Sequence, residues 1–295
     1  MELRSNVTDT ALVLEGGGMR GAFTAAMIAT LINEGIFIDY VAGISAGSSN
    51  TVNYISRAPI RARKCFVDFA DSPKFGSWKT WVQGKGLFNA QFIYEETSYP
   101  DGPLPLDYEG FMANPAQFRI GSFDAELGET IYWSREDIRD QADLLRKVRA
   151  SSSIPLVMPA VHMDGRMWVD GALGLGGGIP LPIAKQDGHS KFVAILTRSR
   201  TYIKPAYQAY PFMRTIYFRH PAVADGIRNR TEQYNSTREE LLELERQGKA
   251  YLIFPDQMNV SNSTRDVPAL QACFDAGLEQ AQRELPRLKE FLNLG

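Results

Sequence analysis

Twice within its first 57 residues this chain passes from an apolar stretch through a glycine-rich turn into a helix-forming stretch. The first passage is ALVLEGGGMRGAFTAAMIATLINEG, residues 11–35, which reads as strand, loop and helix, with Gly35 ending the helix. The second is IFIDYVAGISAGSSNTVNYISR, residues 36–57, again strand, small-residue turn and helix. A crossover helix between two strands returns the chain to the end it started from, so the strands run parallel. Both turns then emerge at one edge of one sheet. The pattern predicts an α/β fold in three layers, with helices on both faces of a mostly parallel central sheet.

Residues 57–115 lose this rhythm. They are rich in glycine, proline and aromatics, including Phe66, Phe69, Phe75, Trp78, Trp81, Phe88, Phe92 and Tyr94. They predict an insertion lying over the sheet, in a position to wall or cover a site. Regular order then returns. Residues 117–134 alternate about Gly128 as a strand pair, and residues 135–151 read as an amphipathic helix. Residues 160–173 read as a hairpin turning at Asp164-Gly165. KFVAILTRS is another buried strand, residues 221–248 a long charged helix, and AYLIFP a late strand. Residues 266–292 read as a final helix, bent at Pro286. No repeat or linker divides the chain. One domain spanning 1–295 is expected, with the core motifs in 11–200 and a helical extension in 200–295.

At 295 residues and 44% hydrophobic, the chain has enough material for a substantial core. A net charge of -2 and the lack of a dense basic run argue against a nucleic-acid partner. No apolar run approaches the ~20 residues of a membrane helix. The first residues carry no apolar secretion segment. A cytoplasmic protein, able to touch a membrane peripherally, is the expectation; oligomeric state is not read. Cys65 and Cys273 stand far apart in no metal or redox spacing, so both are expected as free, buried thiols.

The glycine loop has two readings. Gly16, Gly18 and Gly21 spell G-x-G-x-x-G between a strand and a helix, the context of a dinucleotide site. That site needs an acidic residue at the end of the next strand, whereas Asp39 stands at its start. The other reading is an oxyanion hole, in which fixed N–H donors meet the charge that builds on a carbonyl oxygen during acyl transfer. Gly17 and Gly18 are the candidate donors, with Arg20 holding the loop or adding positive field. The N–H of Ala46 is a third donor.

Gly43-Ile44-Ser45-Ala46-Gly47 is a G-x-S-x-G turn. Side chains at Gly43 and Gly47 would crowd a sharp strand-to-helix bend, and Ser45 at its tip is a candidate nucleophile. A neutral serine needs a base. His162, His189 and His220 all lie outside an obvious catalytic loop. Asp170, at a strand end before Gly171-Ala172 and a glycine-rich tract, is the better candidate; partial burial among Val169, Leu173 and Leu175 would raise its pKa.

Taken together, EGGGMRGAF, GISAG, the ASSSIPLVMPAVHMDGRMWVDGA segment and its VDGAL block resemble the patatin-like phospholipases. The tail from Arg228 onward is similar to a bacterial subgroup of that family. The resemblance implies a serine acyl hydrolase that frees fatty acid from lipid esters through a Ser45–Asp170 dyad. Gly17, Gly18 and Arg20 would form its oxyanion loop. It implies no cofactor or metal, and a lipid or ester as partner. Two departures are visible: Ala172 stands where glycine is commoner, and Ile179-Pro180 where Asn-Pro often stands. A catalytically silent relative acting as a binding or regulatory protein is the alternative, and a nucleotide-binding enzyme the remaining one.

Overall fold

The computed structural model describes residues 3–76, 80, 82–84 and 86–295. Trp78 and Trp81 of the aromatic segment lie outside the described residues.

The chain opens with strand β1 (Val7–Leu14), helix α1 (Gly21–Asn33), strand β2 (Ile38–Ile44) and helix α2 (Ala46–Ile55). β1 starts four residues before the predicted strand, because Val7 already pairs with Ile38. The exposed Thr8 and Asp9 hide that extension from a search for apolar runs. Helix α3 (Pro59–Phe66) and the short α4 (Tyr108–Ala113) belong to the aromatic insertion. Strands β3 (Gln117–Asp124) and β4 (Glu129–Trp133) form the expected hairpin.

Helix α5 (Gln141–Ser151) begins six residues later than the amphipathic pattern predicts. Two caps cause the difference. Asp140 accepts the N–H of Asp143 and starts α5, while Ser134 and Asp137 close a separate single turn. The hairpin of β5 (Val161–Met163) and β6 (Arg166–Asp170) turns at Asp164-Gly165, both at positive φ. Then come α6 (Leu181–Gln186), β7 (Phe192–Ile195), α7 (Tyr210–Ile216), α8 (Pro221–Arg246), β8 (Ala250–Ile253) and α9 (Val267–Phe291). Helix α9 runs on through Pro286 to Phe291.

Among the described residues, eight strands form one sheet in the order β5-β6-β3-β2-β1-β7-β8, with β4 also on β3. From β3 to β8 the neighbours are parallel; β4, β6 and β5 join antiparallel. The sheet is buried on both faces. In β1, Leu12 and Leu14 pack toward α1, α2, α5 and α9, while Ala11 and Val13 pack toward α6 and α8. Helix α1 is buried almost all round. It approaches α9 closely, since a Cβ on Gly277 would lie 2.7 Å from the Ala26 Cβ.

Strand order opens a crevice behind the glycine loop. From β1 the chain moves to β2, on one side; from β7 it moves to β8, on the other. Right-handed crossovers then put α1 and α8 on opposite faces. The loops leaving β1 and β7 therefore part from each other, opening a crevice at the carboxyl edge of the sheet.

Candidate active site

Ser45 stands between β2 and α2 with φ of +57° and ψ of -125°, a positive-φ conformation that a serine adopts only at a cost of about 1–3 kcal/mol. The bend is tight enough to exclude side chains beside it. A Cβ on Gly43 would meet the Gly47 carbonyl oxygen at 2.3 Å, and one on Gly47 would meet the Leu14 carbonyl oxygen at 2.2 Å. The G-x-S-x-G spacing is thus a packing requirement of β1 against α2. The buried N–H of Ser45 donates to Ser151 Oγ at 2.9 Å, and Ser151 Oγ donates in turn to the Gly121 carbonyl at 2.5 Å. This support from α5 and β3 was not legible in the sequence; Ser151 stood unremarked in the ASSSIP segment.

Strand β3 brings Asp170 to Ser45. Ile44 is opposite Gly121 and Asp170 is opposite Ser122, so two adjacent residues of β3 align the two strand ends. Small residues make this approach possible: a Cβ on Gly171 would lie 2.3 Å from the Gly121 carbonyl oxygen. Ser45 and Asp170 are each only 5% exposed. Asp170 Oδ1 accepts the Ala172 N–H at 2.9 Å, and the Ser45 hydroxyl is near enough to pull down the pKa of the same carboxylate. Burial raises the Asp170 pKa above the ordinary carboxylate value; the Arg230 charge, the Ala172 N–H and the Ser45 hydroxyl oppose the rise. Leu175, expected among its apolar surroundings, is 61% exposed and contributes nothing to that burial.

The glycine loop is fixed from three distant places. Gly16 N–H donates to the Gly178 carbonyl at 2.9 Å, Thr197 Oγ1 donates to the Gly16 carbonyl at 3.3 Å, and Met19 N–H donates to the Asn262 carbonyl at 3.1 Å. Gly18 has φ of +54°, and a Cβ there would lie 2.4 Å from the Asn262 carbonyl oxygen. Among the described residues, the N–H groups of Gly17, Gly18 and Ala46 donate to no other part of the chain. Gly18 and Ala46 border the same cavity as Ser45; Gly17 and Arg20 do not. Arg20 is buried with its Nε unpartnered, and its charge acts on Glu15, Arg198 and Arg230 rather than on the cavity.

The cavity measures about 310 Å³. Beyond the loop residues its wall is mainly apolar, with Val52, Phe66, Phe75, Phe88, Ile93 and Val148 among the lining side chains and Arg61, Ser49, Ser98 and Ser152 among its polar members. The aromatic insertion supplies much of this wall. Cys65, expected to be buried, is only half-buried and borders the cavity, whereas Cys273 is buried in the core. The histidines stand elsewhere. His162 is exposed on β5, His189 packs its ring 4.3 Å from Tyr40, and His220 Nδ1 lies 3.6 Å from a Glu126 carboxylate oxygen. Asp39 sits at the start of β2, the opposite end from Ser45.

Residues 12–184 match the model of a family described as patatin-like phospholipase. Residues 220–293 match one described as a domain of unknown function, DUF6363. The uncharacterized protein YjjU of Escherichia coli (strain K12) is 28% identical over 200 residues, which are 67% of this chain and 54% of that protein. The chain thus spans about half the length of that curated relative. The crystal structure of VipD from Legionella pneumophila superposes with a TM-score of 0.51 at 10% identity, covering 97% of this chain and 67% of that one. At that identity the likeness is one of fold.

Proposed function

The chain belongs to the patatin-like phospholipase family, and from that premise we propose that it hydrolyses acyl esters of lipids, with Ser45 as nucleophile and Asp170 as general base. The observation that carries this reading is the pairing of a positive-φ serine at the wall of an apolar cavity with a buried carboxylate of raised pKa.

Ser45 Oγ attacks the ester carbonyl carbon while its proton passes to Asp170. The carbonyl oxygen takes up the negative charge and rests against the Gly18 and Ala46 N–H groups, the two candidate donors that border the cavity, with the start of α2 adding its positive end. The C–O bond to the alcohol breaks, and Asp170 returns the proton to the leaving oxygen. Water then attacks the acyl-serine and gives its proton to Asp170. Collapse of that intermediate releases the fatty acid and restores the Ser45 hydroxyl. The apolar cavity of about 310 Å³ suits the acyl chain, each buried methylene contributing about 0.8 kcal/mol.

Wild type, Ser45→Ala and Asp170→Asn incubated with p-nitrophenyl esters of increasing chain length test the reading. Turnover is expected for wild type alone, rising with chain length, with each variant down by about a thousandfold or more. A fluorophosphonate probe should label Ser45 in the wild type. Unchanged turnover in Asp170→Asn would remove Asp170 as the base. No turnover together with no labelling would leave a family member used for binding.

A further inference from the structure

The cavity that starts at Ser45 ends at a cation. Helix α2 fixes its direction: Ser45, Ser49 and Val52 border it at helical spacing, so it follows one face of α2 away from the nucleophile. Val148 and Leu145 border it along α5 in the same sense. Its mouth lies beside Gly18, where exposed Asn262 and Ser263 line it. Arg61 borders the other end. There Arg61 Nη1 donates to Asn53 Oδ1 at 2.5 Å and Nη2 donates to Ser98 Oγ at 2.7 Å. Asn53, Ser98, Val52 and Leu145 are all buried, so this end is closed. Asn53 stands eight residues beyond Ser45, roughly 12 Å along the helix at 1.5 Å per residue.

Arg61 has no counterion. Among the described residues no carboxylate makes an ion pair with it. Its acceptors are neutral: the Asn53 amide, the Ser98 hydroxyl and, 3.4 Å from Nε, the Leu104 carbonyl. Each Nη therefore keeps one N–H that these bonds do not use. A half-buried guanidinium at the closed end of a mainly apolar pocket repels a terminal methyl group and attracts an anion.

We propose that Arg61 selects acyl chains that end in a carboxylate, with the ester carbonyl at Ser45 and the far carboxylate on the two free Nη hydrogens. The turnover of such chains rests on the acyl-hydrolase reading; their binding does not. Length follows from the geometry. With C–C bonds of ~1.5 Å, an extended chain advances about 1.25 Å per bond, so a chain of about nine carbons reaches from Ser45 to Arg61. Asn53 and Ser98 hold the guanidinium in place, and the apolar wall between the two ends covers the methylenes. A methyl-ended chain gains from each added methylene until it reaches Arg61, where it buries the cation and offers it no acceptor.

Calorimetric titration of Ser45→Ala protein at pH 7 tests this without turnover. The probes are monomethyl azelate and methyl nonanoate, two nine-carbon esters that differ in the far end. The carboxylate-ended ester should bind about tenfold more tightly. Arg61→Met, added to Ser45→Ala, keeps a long side chain without charge and should reverse that order; Arg61→Lys should keep part of the preference. A cooperative melt shows that each variant is folded, and the ratio of two affinities within one protein separates selectivity from a general loss. Equal affinities, or a ratio that Arg61→Met leaves unchanged, would overturn the proposal. Wild-type protein with mono-p-nitrophenyl azelate and p-nitrophenyl nonanoate then separates the two readings. Turnover of both without preference would keep the hydrolase and sink the carboxylate selectivity. Selective binding without turnover of either ester, by a Ser45 that resists the fluorophosphonate, would keep the carboxylate pocket and remove the acyl-hydrolase reading.

Discussion

Asp170 has opposing demands on it. As a base it must be ionised, yet burial favours its neutral form. Its folded pKa lies above the ordinary 3.8, so between the two values the folded state holds a proton that the unfolded chain has lost. Stability therefore falls as pH rises through that window and stays lower above it. Asparagine keeps an acceptor for the Ala172 N–H and carries no charge. Asp170→Asn should melt at a higher temperature than wild type at pH 7, with the gap closing below 3.8. Thermal melts across pH read this directly, and a variant less stable than wild type at neutral pH would refute it. Activity has the opposite dependence: kcat/KM should rise as Asp170 ionises, giving an acid limb that disappears with the carboxylate.

Glycines that look alike in the sequence separate at the level of elements. Gly47 touches the end of β1, and an added Cβ has no room beside the Leu14 carbonyl. Gly35 ends α1 at φ of +66° with nothing within 4 Å, so a substitution there meets only backbone strain. Denaturant unfolding should show Gly47→Ala losing about 3 kcal/mol or more and Gly35→Ala about 1–2. Equal losses would mean that the turn yields. This contrast also explains what was legible. Residues whose demands are local, such as Gly43, Ser45, Gly47 and Asp170 with its following Gly171, leave a pattern in a few consecutive letters. Ser151 and Gly121 hold the Ser45 turn, Asn262 holds the glycine loop and Arg230 acts on Asp170, all from distant elements, and each is an ordinary letter where it stands. The late start of α5 was hidden for a related reason: its apolar spacing runs through Ile138, and only the caps at Ser134 and Asp140 divide it.

Across the whole molecule, the last third of the chain is built into the first. β8 extends the parallel sheet beside β7, and α9 buries Leu270, Phe274, Leu285 and Leu288 in the core that contains α1. Residues 220–293 are therefore expected to fold together with the region before them. A chain ending at residue 219 would bare the outer edge of β7 and the face of α1, and should show no cooperative melt. A soluble, cooperatively folded shorter chain would instead make the tail an independent unit. The carbonyl of Asn262, seated on the Met19 N–H, gives this arrangement a consequence in time. Asn262 leaves the ribosome roughly 200 residues after Ser45, on the order of 10–40 s later at ~5–20 residues per second. During that interval the glycine loop lacks the carbonyl that seats its Met19 N–H, so the loop reaches its final form only after both Ser45 and Asp170 have been made.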